Sequence, residues 1–139
     1  MAPRLPPAVL FAFVLVVLGF AAGATSLGVQ RWQTQRRAET AAHELTGGDV
    51  QRGKAAFLRH GCGACHAIRN LQPAQGGVGP PLNGVATRAF LAGRLANDPQ
   101  QLTAWVRHPQ ALQPGVGMPD TGLSEAEARD VAAYLYTLR

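Results

Sequence analysis

Cys62-Gly63-Ala64-Cys65-His66 decides the reading of this chain. Two thiols three positions apart, followed at once by an imidazole, place three ligating or nucleophilic groups on one short stretch of backbone. The chain has two cysteines in all, and both are here. A structural zinc site needs about four nitrogen or sulfur ligands, so Cys62, Cys65 and His66 would have to recruit His60 or His108 at an unfamiliar spacing. A thioredoxin-like dithiol needs C-x-x-C beside a βαβ pattern. The residues around this one are short of β-branched runs and read instead as helices separated by Gly/Pro loops.

The third reading is covalent haem attachment, whose signature is C-x-x-C-H. The spacing has a physical reason: two thiols at this separation can each add to one of two vinyl groups on a single porphyrin edge, and His66 is then held under the iron through Nε2. Burying a flat apolar macrocycle also adds core to a short domain. The pentapeptide is short, so a second ligand matters. The chain has two methionines, and Met1 is the initiator, which leaves Met118. It lies in Pro114-Gly115-Val116-Gly117-Met118-Pro119, where prolines restrict φ and glycines relax it. Nothing around Met118 is periodic, as a methionine filling a helical core position would require.

Outward from these residues, the 139-residue chain is 47% apolar and 15% charged, with 13 Lys+Arg against 8 Asp+Glu. It is too short for a multidomain enzyme and too poor in cysteine for a disulfide scaffold, and its apolar fraction excludes wholesale disorder. Three regions follow: 1–30, a membrane anchor or signal segment; 31–47, a polar tether; 48–139, the haem domain. Leu5 to Gln30 carries no charge, and about 20 helical residues cross a bilayer core. Trp32, with Arg31, Arg36 and Arg37 beside it, sits at interface depth, which favours a retained anchor. A cleaved secretory signal would use Arg4 as n-region and Ala22-Gly23-Ala24 as processing site, and a buried core helix is a third use of such a run. The tether reads as a helical continuation broken at Gly47-Gly48, with the glycines as a pivot.

The stretch from about Thr46 to the C-terminus resembles the class I mono-haem cytochromes c. Beyond CGACH, the resemblance is carried by Gly79-Pro80-Pro81-Leu82, Arg88, Trp105-Val106-Arg107-His108-Pro109, the Pro114–Pro119 strap and a last helix reading DVAAYLYTL. It is similar to the cytochrome c domain fused to the second subunit of some haem-copper oxidases, without a copper-binding region before the haem domain, and to membrane-anchored cytochromes c. The resemblance implies an all-α haem domain behind a single transmembrane helix, with one covalent haem c per chain on Cys62 and Cys65 and axial ligation by His66 and Met118. It implies that the Pro80 carbonyl accepts from His66 Nδ1–H, that Arg88 stands near a haem propionate and that Trp105 packs on the porphyrin. It also implies maturation outside the bacterial cytoplasmic membrane, placing the haem domain on the periplasmic side. Counting Lys and Arg gives the opposite orientation, since Arg4 precedes the apolar run and three arginines follow it.

Local patterns support helices independently. Asp49 caps a helix over Val50–His60; Asp98 caps another over Pro99–Arg107; and Ser124 with Glu127 forms a capping box for a last helix to about Leu138. Val131, Tyr134, Leu135 and Leu138 share its inner stripe. Gly53 and Tyr134 are expected to meet where the first and last helices cross, and Ala86–Ala92 reads as a short helix. His43, His60 and His108 read as surface residues, with His108 the one rival axial ligand.

From Asp49 through Val116, seven basic residues (Arg52, Lys54, Arg59, Arg69, Arg88, Arg94, Arg107) face only Asp49 and Asp98, a balance of +5. From Gly117 onward the balance is −2. A basic rim near the porphyrin edge would steer the domain toward an acidic docking surface on a redox protein. The basic residues form no run and aromatics are few, so nucleic acid is not the expected partner. With both axial positions filled, the iron has no site for a small-molecule substrate. The expected role is therefore a one-electron carrier between a quinol-oxidising complex or dehydrogenase and a terminal oxidase, or alternatively a fixed haem subunit of one respiratory oxidoreductase. A gas sensor or peroxidase would need a ligand that leaves.

Overall fold

The computed structural model describes residues 6–139, so Arg4, the n-region charge of the signal reading, lies outside the described residues. The chain divides into two compact units, Met1–Arg36 and Arg37–Arg139. In the first, the apolar run is helical as part of α1 (Pro7–Thr46), and none of its most apolar window is buried within the protein. At 1.5 Å per residue the apolar stretch alone is long enough to cross a bilayer core. Thr25 within it turns its hydroxyl back onto the carbonyls of Ala21 and Ala22 at 3.0 and 2.9 Å, which hides the donor from an apolar surround. The helix continues through Ala22-Gly23-Ala24 without a break. Just beyond the run, the Arg36 guanidinium lies 5.5 Å from the centre of the Trp32 ring.

The second unit is built on a crossing of α2 (Val50–Arg59) and α5 (Glu125–Tyr136), with α3 (Pro99–Arg107) also packed on α5. Asp49 caps α2 through Arg52 N–H, Asp98 caps α3 through Gln101 N–H, and Ser124 and Glu127 form the full reciprocal box at α5. The crossing is close because α2 offers glycine there. A Cβ on Gly53 would overlap the Asp130 carbonyl and stand 3.0 Å from Tyr134 Cβ, and one on Gly48 would fall 2.8 Å from Asp130 N. Phe57 then meets Tyr134 edge-to-face, ring centres 5.9 Å apart.

A charged clamp seals the same contact. The nearly buried carboxylate of Asp130 accepts from Asp49 N–H at 2.6 Å and from Arg52 Nε and Nη2 at 2.8 and 3.0 Å. Burial pushes Asp130 up, but the Arg52 and Asp49 bonds and the pull of Arg52 and Arg129 outweigh it and hold the carboxyl below its ordinary range. One helical turn before Asp130, Glu127 accepts from Arg59 at 2.8 Å. The basic and acidic halves of the sequence are thus folded onto one another. Lys54, Arg69 and Arg94 are left with no ion pair or side-chain hydrogen bond among the described residues.

Two expectations are corrected. Ala86–Ala92 is not a helix: a single 3₁₀ turn, Val85–Thr87, leads into a two-stranded antiparallel hairpin, β1 (Phe90–Leu91) and β2 (Leu95–Ala96). Asn97 Nδ2 takes the Val85 and Arg88 carbonyls, both at 2.8 Å, and its Oδ1 accepts from Tyr136 O–H, so the segment is held open and tied to α5. The reversal at Ala92-Gly93 has φ of 47° and 74°, with Arg94 N–H returning to Leu91 O. Gly47-Gly48, second, is no free pivot. Residues 37–46 belong to the second unit: Ala42 is 1% exposed, and His43 Nδ1 pairs with Gly48 O at 2.8 Å.

Candidate functional site

The CGACH segment folds as it does because α2 ends on glycine. Gly61 takes a left-handed φ of 69°, which stops the helix, and Cys62–Ala64 follows as a 3₁₀ turn. Cys62 O accepts from Cys65 N–H and His66 N–H, at 3.2 and 3.0 Å. Cys65 caps this turn, so the two cysteines stand at its two ends, three positions apart. Both cysteines are free thiols, Cys62 half-buried and Cys65 exposed. Burial pushes the Cys62 thiol up from its ordinary value, and the neighbouring Cys65 adds to that. A thiol raised by burial lacks the lowered value that marks a reactive dithiol-exchange cysteine.

The loop that follows wraps back over this turn. Gly76 N–H bonds Gly63 O at 3.0 Å, Gly79 N–H bonds Cys65 O at 2.8 Å, and Leu82 N–H bonds Ala67 O at 2.9 Å. The wrap is tight: a Cβ on Gly63 would lie 2.8 Å from Ala74 Cα. It brings Pro80 O to 2.8 Å from His66 Nδ1. That bond puts the ring proton on Nδ1 and leaves the Nε2 lone pair free. Gly79 lies against the imidazole, where a Cβ would come within 2.7 Å of Nδ1 and 3.0 Å of Nε2. His66 is therefore held through Nδ1 by Pro80 O, with the Gly79 backbone packed against the ring near Cε1.

Arg88 bonds the carbonyls of Pro81 and Asn83, stiffening the loop that carries Pro80. Arg69 N–H donates to Asn83 Oδ1 at 2.8 Å and closes the same loop from the other side. Trp105 is half-buried on α3 against the core. Met118 lies, partly buried, on a non-helical strap between α4 (Pro109–Leu112) and α5. Among the described residues, neither Trp105 nor Met118 shares a hydrogen bond or ring contact with His66.

Two residues of the site carry no sequence signal. Asn83 is an ordinary loop asparagine, and Gln110 reads as a helix residue, yet its carboxamide bonds the strap backbone at three points.

The competing chemistries now separate. Among the described residues no group of three or more His, Cys, Asp or Glu stands together to hold a metal ion; His60 is engaged with Glu127, and His108 stands beside Asp120. Among the described residues the only sheet is a two-stranded hairpin, with no βαβ unit beside the cysteines. The donor set fits a haem instead: two thiols three positions apart at the ends of one turn, and an imidazole whose Nδ1–H is taken by Pro80 O, leaving Nε2 to coordinate iron.

A small helical domain that presents these groups, with a Gly/Pro strap bearing the one internal methionine, is a haem-attachment domain. The chain belongs to the cytochrome c family, whose model, described as cytochrome c, matches residues 50–139. It is 34% identical over 91 residues, 65% of this chain and 26% of the relative, to a protein named cytochrome c oxidase subunit 2 from Alkalihalophilus pseudofirmus. It is 38% identical over 101 residues to cytochrome c2 of Rhodoblastus acidophilus, covering 63% of this chain and 91% of that protein. It is 36% identical over 104 residues to cytochrome c-type cyt cy of Rhodobacter capsulatus, covering 66% of this chain and 50% of that protein. The chain spans about a quarter of the length of the oxidase subunits it matches. The family binds covalently attached haem c with iron, and its members transfer electrons and are not enzymes.

Proposed function

We propose that this protein is a membrane-tethered one-electron carrier, with haem c joined to Cys62 and Cys65 and its iron held by His66 and Met118. The observation that carries the reading is the His66–Pro80 bond of 2.8 Å beside Cys62 and Cys65 at the two ends of one turn. When bound, haem c supplies a metal that changes by one electron between ferric and ferrous states. The protein's part is to fix how that metal is held. Nδ1–H donation to Pro80 O locks the ring plane and makes Nε2 a stronger donor. The Met118 thioether raises the potential relative to a second imidazole. Iron held by both His66 and Met118 would offer a substrate no place to coordinate. Arg88, whose guanidinium already bonds two backbone carbonyls, has further N–H donors for a propionate, and Trp105 offers its ring to the porphyrin.

The donor is a quinol-oxidising complex or dehydrogenase and the acceptor a terminal oxidase. The unpaired cations Lys54, Arg69 and Arg94 favour acidic docking surfaces on those partners. The anchor is residues 7–30 of α1, retained in the cytoplasmic membrane, with the haem domain on the periplasmic side where attachment takes place. A fusion reporter read on both sides of the membrane tests the topology; a cytoplasmic haem domain refutes it. The similarity to oxidase subunits supports a second reading, a fixed haem subunit of one complex, which predicts constant stoichiometry with that complex through purification.

A further inference from the structure

Residues 114–119 make few bonds of their own. Apart from Val116 N–H to Gln113 O at 3.3 Å, every hydrogen bond they form among the described residues runs to the Gln110 side chain. Nε2 donates to Val116 O at 2.6 Å and to Met118 O at 2.7 Å, while Oε1 accepts from Gly115 N–H at 3.1 Å. Gln110 is itself fixed from below. Its neighbour Pro109 is fully buried, and its own N–H reaches Asp120 Oδ1 at 3.3 Å. The far end of the strap is pinned where Thr121 Oγ1 donates to Val106 O at 2.7 Å.

We infer that Gln110 is the positioning residue of the Met118 ligand: its carboxamide holds the strap closed and sets how readily the thioether leaves the iron. The inference rests on the assignment of Met118 as axial ligand. Only a primary amide of this length meets the pattern. It needs two donors on one atom and an acceptor on the other. Glutamate would turn a carboxylate on two carbonyls, lysine would lose the acceptor for Gly115, and asparagine is one methylene short.

The test uses the full chain, haem-loaded and in detergent, in the ferric state, with imidazole as the competing ligand. Three readouts are taken: the weak red methionine-to-iron band, the rate and affinity of imidazole binding, and the midpoint of global unfolding. Gln110→Ala is expected to raise imidazole binding by about ten- to a hundredfold, from three lost hydrogen bonds of modest net strength each. Global unfolding should lose no more than the free energy that strap opening loses, since the same three bonds are broken in the unfolded chain, so the imidazole affinity and the red band carry the test. Gln110→Glu, which keeps the length and the Gly115 acceptor, should shift binding in the same direction and serves if the alanine variant fails to mature. Gln100→Ala, exposed on α3, should bind imidazole as the native protein does. A native protein that shows the red band while both Gln110 variants bind imidazole within twofold of it overturns the inference alone. A native protein without the band overturns the Met118 assignment and the inference with it.

Discussion

Gly53→Ala should separate α2 from α5. The added Cβ would overlap both the carbonyl carbon and oxygen of Asp130 and press Tyr134 Cβ at 3.0 Å. The obstacle is α5 backbone, which cannot swing aside like a side-chain tip. Restoring ordinary contact of about 3.5 Å between that Cβ and the Asp130 oxygen needs movement of about 1.7 Å. That movement also stretches the bonds from Arg52 and Asp49 to Asp130. Overpacking of this kind costs up to about 3 kcal/mol, against a gain of roughly 1 kcal/mol from alanine's better helix propensity. The net loss of about 2 kcal/mol corresponds to roughly 10 °C in melting temperature for a domain near 100 residues. Thermal unfolding of the haem-loaded chain by circular dichroism measures it, with Gly77→Ala, which meets nothing within 4 Å, as the neutral control. A Gly53→Ala protein that melts with the native one refutes the close crossing.

Three further outcomes are expected. The Ser124 N–H, then Arg59, the Ser124 hydroxyl and His60, hold Glu127 down at about 2 from an ordinary 4.5, so its stabilisation is complete above about 4.5 and lost as pH falls toward 2. Glu127→Gln should therefore weaken the acid dependence of guanidinium midpoints measured between pH 5 and 3; an unchanged slope contradicts it. Gly79→Ala should push the His66 ring off Pro80, lowering haem incorporation or shifting the reduction potential, and unaltered yield and potential would argue against the grip on the imidazole. Ala92→Gly should raise the melting temperature slightly, since a non-glycine residue at a left-handed φ costs about 1 kcal/mol, offset in part by glycine's greater freedom when unfolded; a lowered melting temperature would refute it.

What the sequence made legible follows from how local each signal is. The caps at Asp49, Asp98 and Ser124 are written in residues three apart and need no tertiary context, so the starts of α2, α3 and α5 could be read directly. The hairpin after Arg88 could not. Its reversal uses Ala92-Gly93 where an Asn-Gly pair would advertise the same backbone, and what keeps the segment open is Asn97, whose partners lie 9 and 12 residues away. The tether hides its burial for a similar reason, because Ala42 is as apolar as an exposed helix alanine would be and only the fold decides its place. In the candidate site, CGACH is read by spacing, whereas the approach of Pro80 to His66 is carried by resemblance, since it depends on a loop closed by glycine-to-backbone bonds. Gln110 left no mark at all, because a carboxamide in a polar segment looks the same whether it clamps a strap or faces water.

The most direct test of the central claim is the mass and ferric spectrum of the full chain matured in a bacterium able to attach haem, with Met118→Ala beside it. The expected result is one macrocycle that stays on the chain after denaturation, a red methionine-to-iron band in the native protein, and loss of that band with a lowered potential in the variant. A chain that carries no added macrocycle, or a variant with the native band and potential, would contradict it.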